Sequence, residues 1–188
     1  MLDRDEILSA LRALDEELAR RDVRANLFVV GGAAMAIAYD ARRSTADVDA
    51  VFAPTGEVRE AARNVAERLG LPPDWLNDGA KAFMPGDDPA RITVFEADHL
   101  QVAAASPRYL LAMKLLAARV ERDQDDIREL YRLCGLSTAA EGLAVVTAAY
   151  PEHVIPPRTR LMLEEMFPSR GAEADIGPQR DMGMDIGF

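Results

Sequence analysis

The most constraining feature of this sequence is a run of four apolar residues, Leu27 to Val30, that ends at Gly31-Gly32. An uninterrupted apolar run of this length indicates a buried strand, and the glycine pair indicates a turn at its end. The following residues, Ala33 to Tyr39, are mostly small and apolar, so they predict a short helix packed closely against a sheet. A buried strand that turns directly into such a helix favours architectures in which helices cover a sheet.

Periodic patterns predict the other elements. Apolar residues at helical spacing predict helices over 3–21 and 57–69, and alternation from Val48 to Phe52 predicts a second strand. An irregular stretch covers 72–90, and beyond it the patterns predict two strands and three helices, over 91–96, 100–104, 108–133, 138–149 and 158–167. This order predicts an α+β (α/β-like) fold with a helical C-terminal half. We expect one domain over 1–167 and a flexible tail over 168–188.

Composition excludes several classes of protein. The 188 residues contain no apolar run of the ~18–20 residues that a membrane helix needs, and the acidic, helical N-terminus is not a secretory signal. The single cysteine, Cys134, excludes an internal disulfide and a cysteine-based zinc site, so we expect a cytoplasmic protein without a membrane partner. The net charge of -10 argues against broad electrostatic binding to nucleic acid, although a local basic patch can still bind it.

Two aspartates, Asp47 and Asp49, stand at the start of the second predicted strand. Residues two apart on a strand point to the same face, so their carboxylates repel one another unless a cation sits between them. Mg²⁺ suits such a pair because it is usually held by one or two carboxylates together with substrate phosphates; Mn²⁺ is the alternative. The same pattern also occurs at ordinary solvated strand entries.

The glycine pair predicts a phosphate site. Glycine allows both a sharp turn and the close approach of an anion, and the helix that follows offers free N–H groups at its positive end. A glycine turn alone is often only a turn. Gly31-Gly32 followed by Asp47-x-Asp49, each framed by apolar strand residues, is a more specific combination and predicts a site for phosphate and metal.

Gly31-Gly32 and Arg43-x-Thr45-x-Asp47-x-Asp49 together resemble the signature of the DNA polymerase beta-type nucleotidyltransferase superfamily. The 14 residues between Gly32 and Asp47 are more like its bacterial toxin branch, the AbiEii and MenT-type toxins. Segments 74–79 and 109–115 also resemble that branch. The resemblance covers about 25–135 and implies a small mixed sheet flanked by helices.

Lys114 lies within an apolar helical segment, where a lone charge must be paired or must reach water. A lysine that extends to solvent is one interpretation. The other is a lysine directed at a nucleoside triphosphate, because the resembling toxins carry a catalytic-site lysine at the matching position.

Asp123 would fall on the apolar face if one helix continued through this region, so it needs a partner or a break near Glu121. Asp126 is three residues further and shares its face. Arg122, Asp123 and Asp126 resemble an Arg-Asp-x-x-Asp element that completes the site in the toxin branch. Which aspartate faces the site stays open, and an ordinary charged helix start is the alternative.

Four further residues are candidates. By resemblance, Arg43 and Thr45 contact phosphate or metal-bound water. Lys81 is a candidate phosphate or RNA contact, or an ordinary surface lysine. Glu96 is a candidate third metal carboxylate, with Asp98 as its competitor.

The functional hypothesis is Mg²⁺-dependent transfer of a nucleoside monophosphate from a nucleoside triphosphate to an acceptor. Asp47 and Asp49 would hold metal, Gly31 and Gly32 would contact phosphate, and Lys114 would neutralise it. The resemblance implies a tRNA acceptor and a toxin paired with an antitoxin protein. The alternatives are a nucleotidyltransferase that modifies a small molecule or protein, and a non-catalytic relative that only binds a partner.

Overall fold

A computed structural model describes residues 1–117 and 120–168, with the backbone alone for 120–122. The chain forms seven α-helices and five strands within this part, together with a π-helical turn and a 3-10 helix. In chain order they are α1 (Arg4–Arg20), β1 (Ala25–Val29), α2 (Gly31–Ala34) with the π-helical turn (Met35–Tyr39), β2 (Val48–Ala53), α3 (Thr55–Leu69), β3 (Leu76–Asn77), the 3-10 helix (Gly79–Phe83), β4 (Ile92–Glu96), β5 (Leu100–Ala104), α4 (Pro107–Ala117), α5 (Val120–Cys134), α6 (Ala139–Ala149) and α7 (Pro157–Met166).

The five strands form one mixed sheet in the order β3-β2-β1-β5-β4. Strand β1 runs parallel to β5 and antiparallel to β2, while β2 is parallel to β3 and β4 is antiparallel to β5. The carboxyl ends of β1 and β5 therefore meet the start of β2 at one end of the sheet. The turn after β1 and the helix after β5 both begin at this end, which brings the predicted site segments together.

The two faces of the sheet differ in what covers them. Alternate residues of the central strands, such as Leu27, Val29 and Phe52, are buried in the core, and α1 and α3 pack on the sheet. The residues between them on the strands are more exposed, as the pattern of β2 shows with buried Val48, partly exposed Asp49 and buried Ala50. The sheet therefore has a helix-covered face and an open face, and Asp49 lies on the open one.

The segment that joins the two edge strands crosses the open face. Strands β3 and β4 lie at opposite edges of the sheet, so residues 78–91 must pass over one face to connect them. The Tyr109 hydroxyl donates to the Gly86 carbonyl at 2.9 Å, and the Tyr109 ring packs edge-on against Phe28 of the open face, with ring centroids 5.5 Å apart. We call residues 84–91 the strap.

The C-terminal helices pack on α4 rather than on the sheet. Helix α6 packs against α4, and α7 packs against α6 and α5. Tyr131 of α5 stacks on Phe167 with ring centroids 3.7 Å apart, and its hydroxyl is buried beside Gly142 of α6. Since a methyl at Gly142 would lie 2.7 Å from Tyr131 Cζ, the absence of a side chain there allows α5 and α6 to approach closely.

The predicted fold class is confirmed: a mixed sheet flanked by helices, with a helical C-terminal half. Two expectations are wrong in detail. The single helix predicted over 108–133 is described as α4 and α5, with residues 118 and 119 outside the described part. The stretch 72–90, predicted as irregular, contains β3 and the 3-10 helix, which are too short to leave a periodic pattern. The tail beyond residue 168 lies outside the described residues.

Candidate active site

The acidic pair lies where β2 begins. Val48 is fully buried and its N–H donates to the Trp75 carbonyl at 2.6 Å, which fixes the start of the strand beside β3. Asp47 precedes the strand and Asp49 is its second residue, paired with Asn77 of β3. Both aspartates are partly exposed, so the pair is accessible from the open face.

The glycine turn closely approaches this pair. Gly31 has φ +63, a conformation that side chains rarely adopt, and a Cβ at this position would lie 3.4 Å from Asp49 Oδ2. A Cβ at Gly32 would lie 2.8 Å from Thr45 Oγ1. The structure therefore brings four predicted residues together, and the absence of a side chain at Gly32 is what allows Thr45 to lie so close. The first N–H groups of the helical segment have no carbonyl one turn earlier to bond, so they can donate to an anion.

Asn77 is a site residue that the sequence analysis did not assign. Its Nδ2 donates to Asp47 Oδ2 at 3.0 Å, and its Oδ1 accepts from the Gly79 N–H at 2.9 Å. The Arg59 guanidinium binds the neighbouring Asp78 at 2.7 Å, holds the pKa of that carboxyl below its usual value, and ties the segment to α3. Asn77 therefore orients Asp47 from β3. The only feature of the sequence that pointed to Asn77 was its place in segment 74–79, which resembles the toxin branch.

The second part of the site is a chain of ion pairs. Lys114 Nζ lies 2.8 Å from Asp123 Oδ1 and 2.7 Å from Asp126 Oδ2, and all three side chains are at most 15% exposed. Asp126 Oδ1 in turn lies 3.0 Å from Arg43 Nη1, and Arg43 also contacts Asp40 at 3.4 Å. Both aspartates thus hold Lys114, and which of them faces a bound substrate stays a prediction. Asp40 was not predicted; a hydrogen bond from Arg42 holds its pKa below the usual value.

These contacts show that α4 and α5 are not parts of one unbroken helix. In one unbroken helix, residues 114 and 126 would lie about 18 Å apart along the axis, which excludes a direct ion pair. Burial explains the pairing: Asp123 is 8% exposed, and a buried carboxylate needs a cationic partner. The predicted need for a partner or a break at Asp123 is thus met by both: Lys114 is the partner, and α5 begins at Val120, three residues earlier. The side chain of Arg122 lies outside the described residues.

Arg43 links the ion pairs to the acidic pair. It precedes Asp47 by four residues, so their Cα atoms are within about 14 Å. Thr45 lies between them, beside Gly32, and its backbone forms two hydrogen bonds with Leu2, at 2.6 and 2.9 Å. The loop before β2 is therefore anchored at its centre, with the cations on one side and the aspartates on the other.

Two candidates stand apart from this group. Glu96 pairs with Gln101, which is level with Asn26 and hence with Ala53, the last residue of β2. That register places Glu96 three strands and four residues away from Asp49, about 20 Å, so the expectation of a third metal carboxylate is not supported. Asp98, in the turn after β4, lies at the same distant end.

Lys81 is exposed on the 3-10 helix, two residues after Gly79. Gly79 lies beside the acidic pair, because a Cβ at this position would be 3.9 Å from Asp49 Oδ1. Lys81 therefore lies two residues from a residue that approaches Asp49. Its place is compatible with the predicted phosphate contact and also with an ordinary surface lysine.

The donors present fit a metal that arrives with a nucleotide. Within residues 1–117 and 120–168, no group of three or more histidine, cysteine, aspartate or glutamate side chains could hold a metal ion by itself. Asp47 and Asp49 supply two carboxylates, the glycine turn leaves space beside Asp49, and Mg²⁺ commonly takes one or two carboxylates plus phosphates. The residues therefore fit a divalent cation that completes its shell with phosphate oxygens.

A mixed sheet that carries an acidic pair beside a glycine turn, with the partly buried cations Arg43 and Lys114 at the same end, is the arrangement expected of a nucleotidyltransferase. The family model described as "Nucleotidyltransferase of unknown function (DUF6036)" matches residues 8–136, more than half of the chain. The protein belongs to this family. No curated protein and no solved structure matches it. None of the described helices is long and apolar enough to cross a membrane.

Proposed function

We propose that the protein transfers a nucleoside monophosphate from a nucleoside triphosphate to an acceptor in a Mg²⁺-dependent reaction, with Mn²⁺ as the alternative ion. The observation that carries this proposal is the close approach of Gly31 to Asp49, 3.4 Å from the position of a Cβ to Oδ2. This contact joins the segment suited to phosphate with the carboxylates suited to metal, as transfer between phosphate esters requires.

The chain's own residues supply positioning and charge. The N–H groups of the glycine turn donate to phosphate oxygens, while Arg43 and Lys114 neutralise the β- and γ-phosphates. Asp123 and Asp126 hold Lys114 in place, and Asn77 orients Asp47. When bound, the metal offsets the negative charge that develops on the phosphates.

The reaction forms one bond and breaks one. An acceptor hydroxyl oxygen attacks the α-phosphorus as its proton passes to water, and the bond from that phosphorus to the bridging oxygen breaks, so pyrophosphate leaves. Asp126 contacts both Lys114 and Arg43, and it therefore holds the two cations in a single arrangement before the phosphates arrive. This pre-organisation reduces the rearrangement that phosphate binding requires.

We propose tRNA as the acceptor and a toxin of a toxin–antitoxin pair as the biological role. The support is the resemblance of segments 74–79 and 109–115 to the toxin branch. A cytoplasmic location and a cognate antitoxin partner follow from the same proposal. The net charge of -10 favours instead a small-molecule or protein acceptor, so the experiment must separate these acceptors.

The test incubates the protein with each α-³²P-labelled nucleoside triphosphate, Mg²⁺ and total tRNA, and follows label by gel electrophoresis. We expect label on tRNA from the unmodified protein and a loss of at least 100-fold in Asp49→Asn, as for removal of one key electrostatic contact. Label on the protein or on an added small molecule would overturn the tRNA proposal, and no labelled product with any acceptor would overturn the enzyme proposal.

Two matched variants control for general loss of charge. Asp98→Asn removes a carboxylate at the far end of the sheet, and Glu96→Gln removes the predicted metal ligand that the register places about 20 Å away. We expect both to retain full transfer. Growth arrest on expression, relieved by Asp49→Asn, would support the toxin role; normal growth with an active enzyme would contradict it.

A further inference from the structure

A cleft of about 440 Å³ lies between the open face of the sheet and the strap. Its floor contains Val51 and Phe28, paired across β2 and β1, and one step further along the strands Asn26 and Gln101, paired across β1 and β5. Its roof includes Met84. Val51 follows Asp49 by two residues on the same face of β2, so the cleft begins next to the acidic pair.

The strap is a fixed part of the fold. The carboxylate of Asp88 is buried and accepts from the N–H and Oγ of Ser106 at 2.7 and 3.0 Å, and from the Ala90 N–H at 3.1 Å. Tyr109 holds the Gly86 carbonyl, and the Tyr150 hydroxyl donates to the Phe83 carbonyl at 2.6 Å. The cleft is therefore covered on one side by a segment that is tied to the start of α4 and, through the adjacent Phe83, to the end of α6.

The lining suits a ring without phosphate groups. Phe28 and Met84 supply aromatic and apolar surface, and the exposed amides of Asn26 and Gln101 supply donors and acceptors about 5 Å apart. The charged groups are largely satisfied: Arg91 pairs with Asp87 at 3.1 Å, and Asp88 is held by Ser106. Among the described lining residues, two aspartates and one arginine leave no cation in excess that could attract phosphate.

The position of the cleft matches the direction from which an acceptor attacks. Arg43 belongs to the loop before β2, and Lys114 to the helix after β5, so the cations lie beyond the sheet end. The cleft lies on the other side of Asp49, along the open face. The attacking and leaving oxygens in phosphoryl transfer are roughly in line, so pyrophosphate held by the cations requires an acceptor from the cleft side.

We propose that the cleft binds the terminal nucleoside of an RNA acceptor, with the base against Phe28 and its edge on Asn26 and Gln101. Single-stranded bases are bound in this way by aromatic rings and amide side chains. Because the strap covers the cleft, the acceptor enters end-on, and a strand end is a substrate while an internal nucleotide is not. This inference rests on the proposed function.

The first experiment measures transfer to a linear RNA and to the same RNA closed into a circle, with the full chain, Mg²⁺ and the preferred triphosphate. We expect label on the linear RNA alone. Equal labelling of the circle would overturn end-on entry. In the variant Asn26→Ala/Gln101→Ala, we expect the acceptor KM to rise about 25-fold, since each lost hydrogen bond weakens binding about fivefold, and the triphosphate Kd to stay unchanged.

Asn64→Ala is the matched control, because its amide donates to Glu17 on the helix-covered side of the sheet, at 2.8 Å. If Asn26→Ala/Gln101→Ala leaves both transfer and the acceptor KM unchanged, the cleft is not the acceptor site, while the proposed function stands. If no transfer occurs at all, saturation-transfer NMR with a single-stranded RNA trinucleotide still tests whether the cleft binds RNA. Binding that the cleft variant loses supports the cleft, and equal or absent binding in both proteins overturns it.

Discussion

Substitution of Gly142 by alanine tests how closely the helical half is packed. Alanine in place of glycine within a helix ordinarily stabilises it by about 1 kcal/mol. At Gly142 the added methyl would overlap the Tyr131 hydroxyl and lie 2.7 Å from Cζ and 3.2 Å from Cε2. Tyr131 cannot easily move aside, because it is 1% exposed and its ring is stacked on Phe167.

We therefore expect Gly142→Ala to destabilise the protein, although alanine in place of glycine ordinarily stabilises a helix. Overpacking of a well-packed core costs about 1–3 kcal/mol, and overlap with several atoms of a wedged ring places Gly142→Ala near the upper end. After the helix gain of about 1 kcal/mol is subtracted, we expect a net loss of about 2 kcal/mol. For a chain of this size that loss lowers the Tm by about 4–8 °C.

The assay is urea and thermal unfolding followed by circular dichroism, with Gly56→Ala as the matched control. Gly56 lies in α3 with no atom within 4 Å of its Cβ position, so alanine there should raise stability by up to about 1 kcal/mol. In a Tyr131→Leu background the close ring atoms are gone, and Gly142→Ala should cost much less. The reasoning would be refuted if Gly142→Ala were as stable as Gly56→Ala. It would also be refuted if Gly142→Ala lowered the free energy of unfolding by the same amount in the Tyr131→Leu background.

Two further predictions concern pH. Burial raises the pKa of every tyrosine, to about 12 for Tyr39 and Tyr109, so the folded protein binds more protons above pH 10 than the unfolded chain and loses stability as pH rises from about 10. We expect tyrosine ionisation at 295 nm to coincide with unfolding; a separate reversible step near pH 10 in the folded protein would contradict this. Hydrogen bonds from Asn64 and then from Arg20 and Arg21 hold the pKa of Glu17 below its ordinary 4.5, so its contribution is present above that value and is lost as pH falls through the lowered pKa. Glu17→Gln should therefore lower the Tm at pH 7, and the difference from the unmodified protein should shrink below about pH 4; a constant difference would show that charge is not the cause.

Local patterns predicted most of the fold because most elements carry their own signal. The strand before Gly31-Gly32 and the helix α3 carry an apolar run and a helical spacing of apolar residues, so the sequence alone is enough to recognise them. Strand β3 has two residues and exists because Val48 and Asp49 pair with it, a non-local contact that no periodicity records. The division into α4 and α5 likewise accompanies the ion pair between Lys114 and Asp123, a contact that no periodicity in the sequence records.

The site was predictable to the same extent. The glycines and the acidic pair are close in sequence and share a strand–turn–helix setting, so their proximity followed from local geometry. Asn77 could not be assigned, since its contact with Asp47 depends on parallel pairing of two strands. Glu96 was a candidate because it ends a predicted strand and because many members of the resembling superfamily have a third metal carboxylate. Only the register over four strands shows that it lies far from Asp49.

The alternation of β2 has a consequence for how this protein can tolerate changes in chain length. Asp49 and the cleft residue Val51 share the open face because they are an even number of residues apart, while Val48 and Ala50 anchor the strand in the core. A one-residue insertion or deletion inside the strand would turn its whole apolar set outward and remove the carboxylate and the cleft floor together. Additions before Asp47, in the surface loop over 40–46, would not change which residues of β2 face the core and which lie on the open face. Homologous chains are therefore expected to differ in the length of this loop and to keep the strand free of gaps.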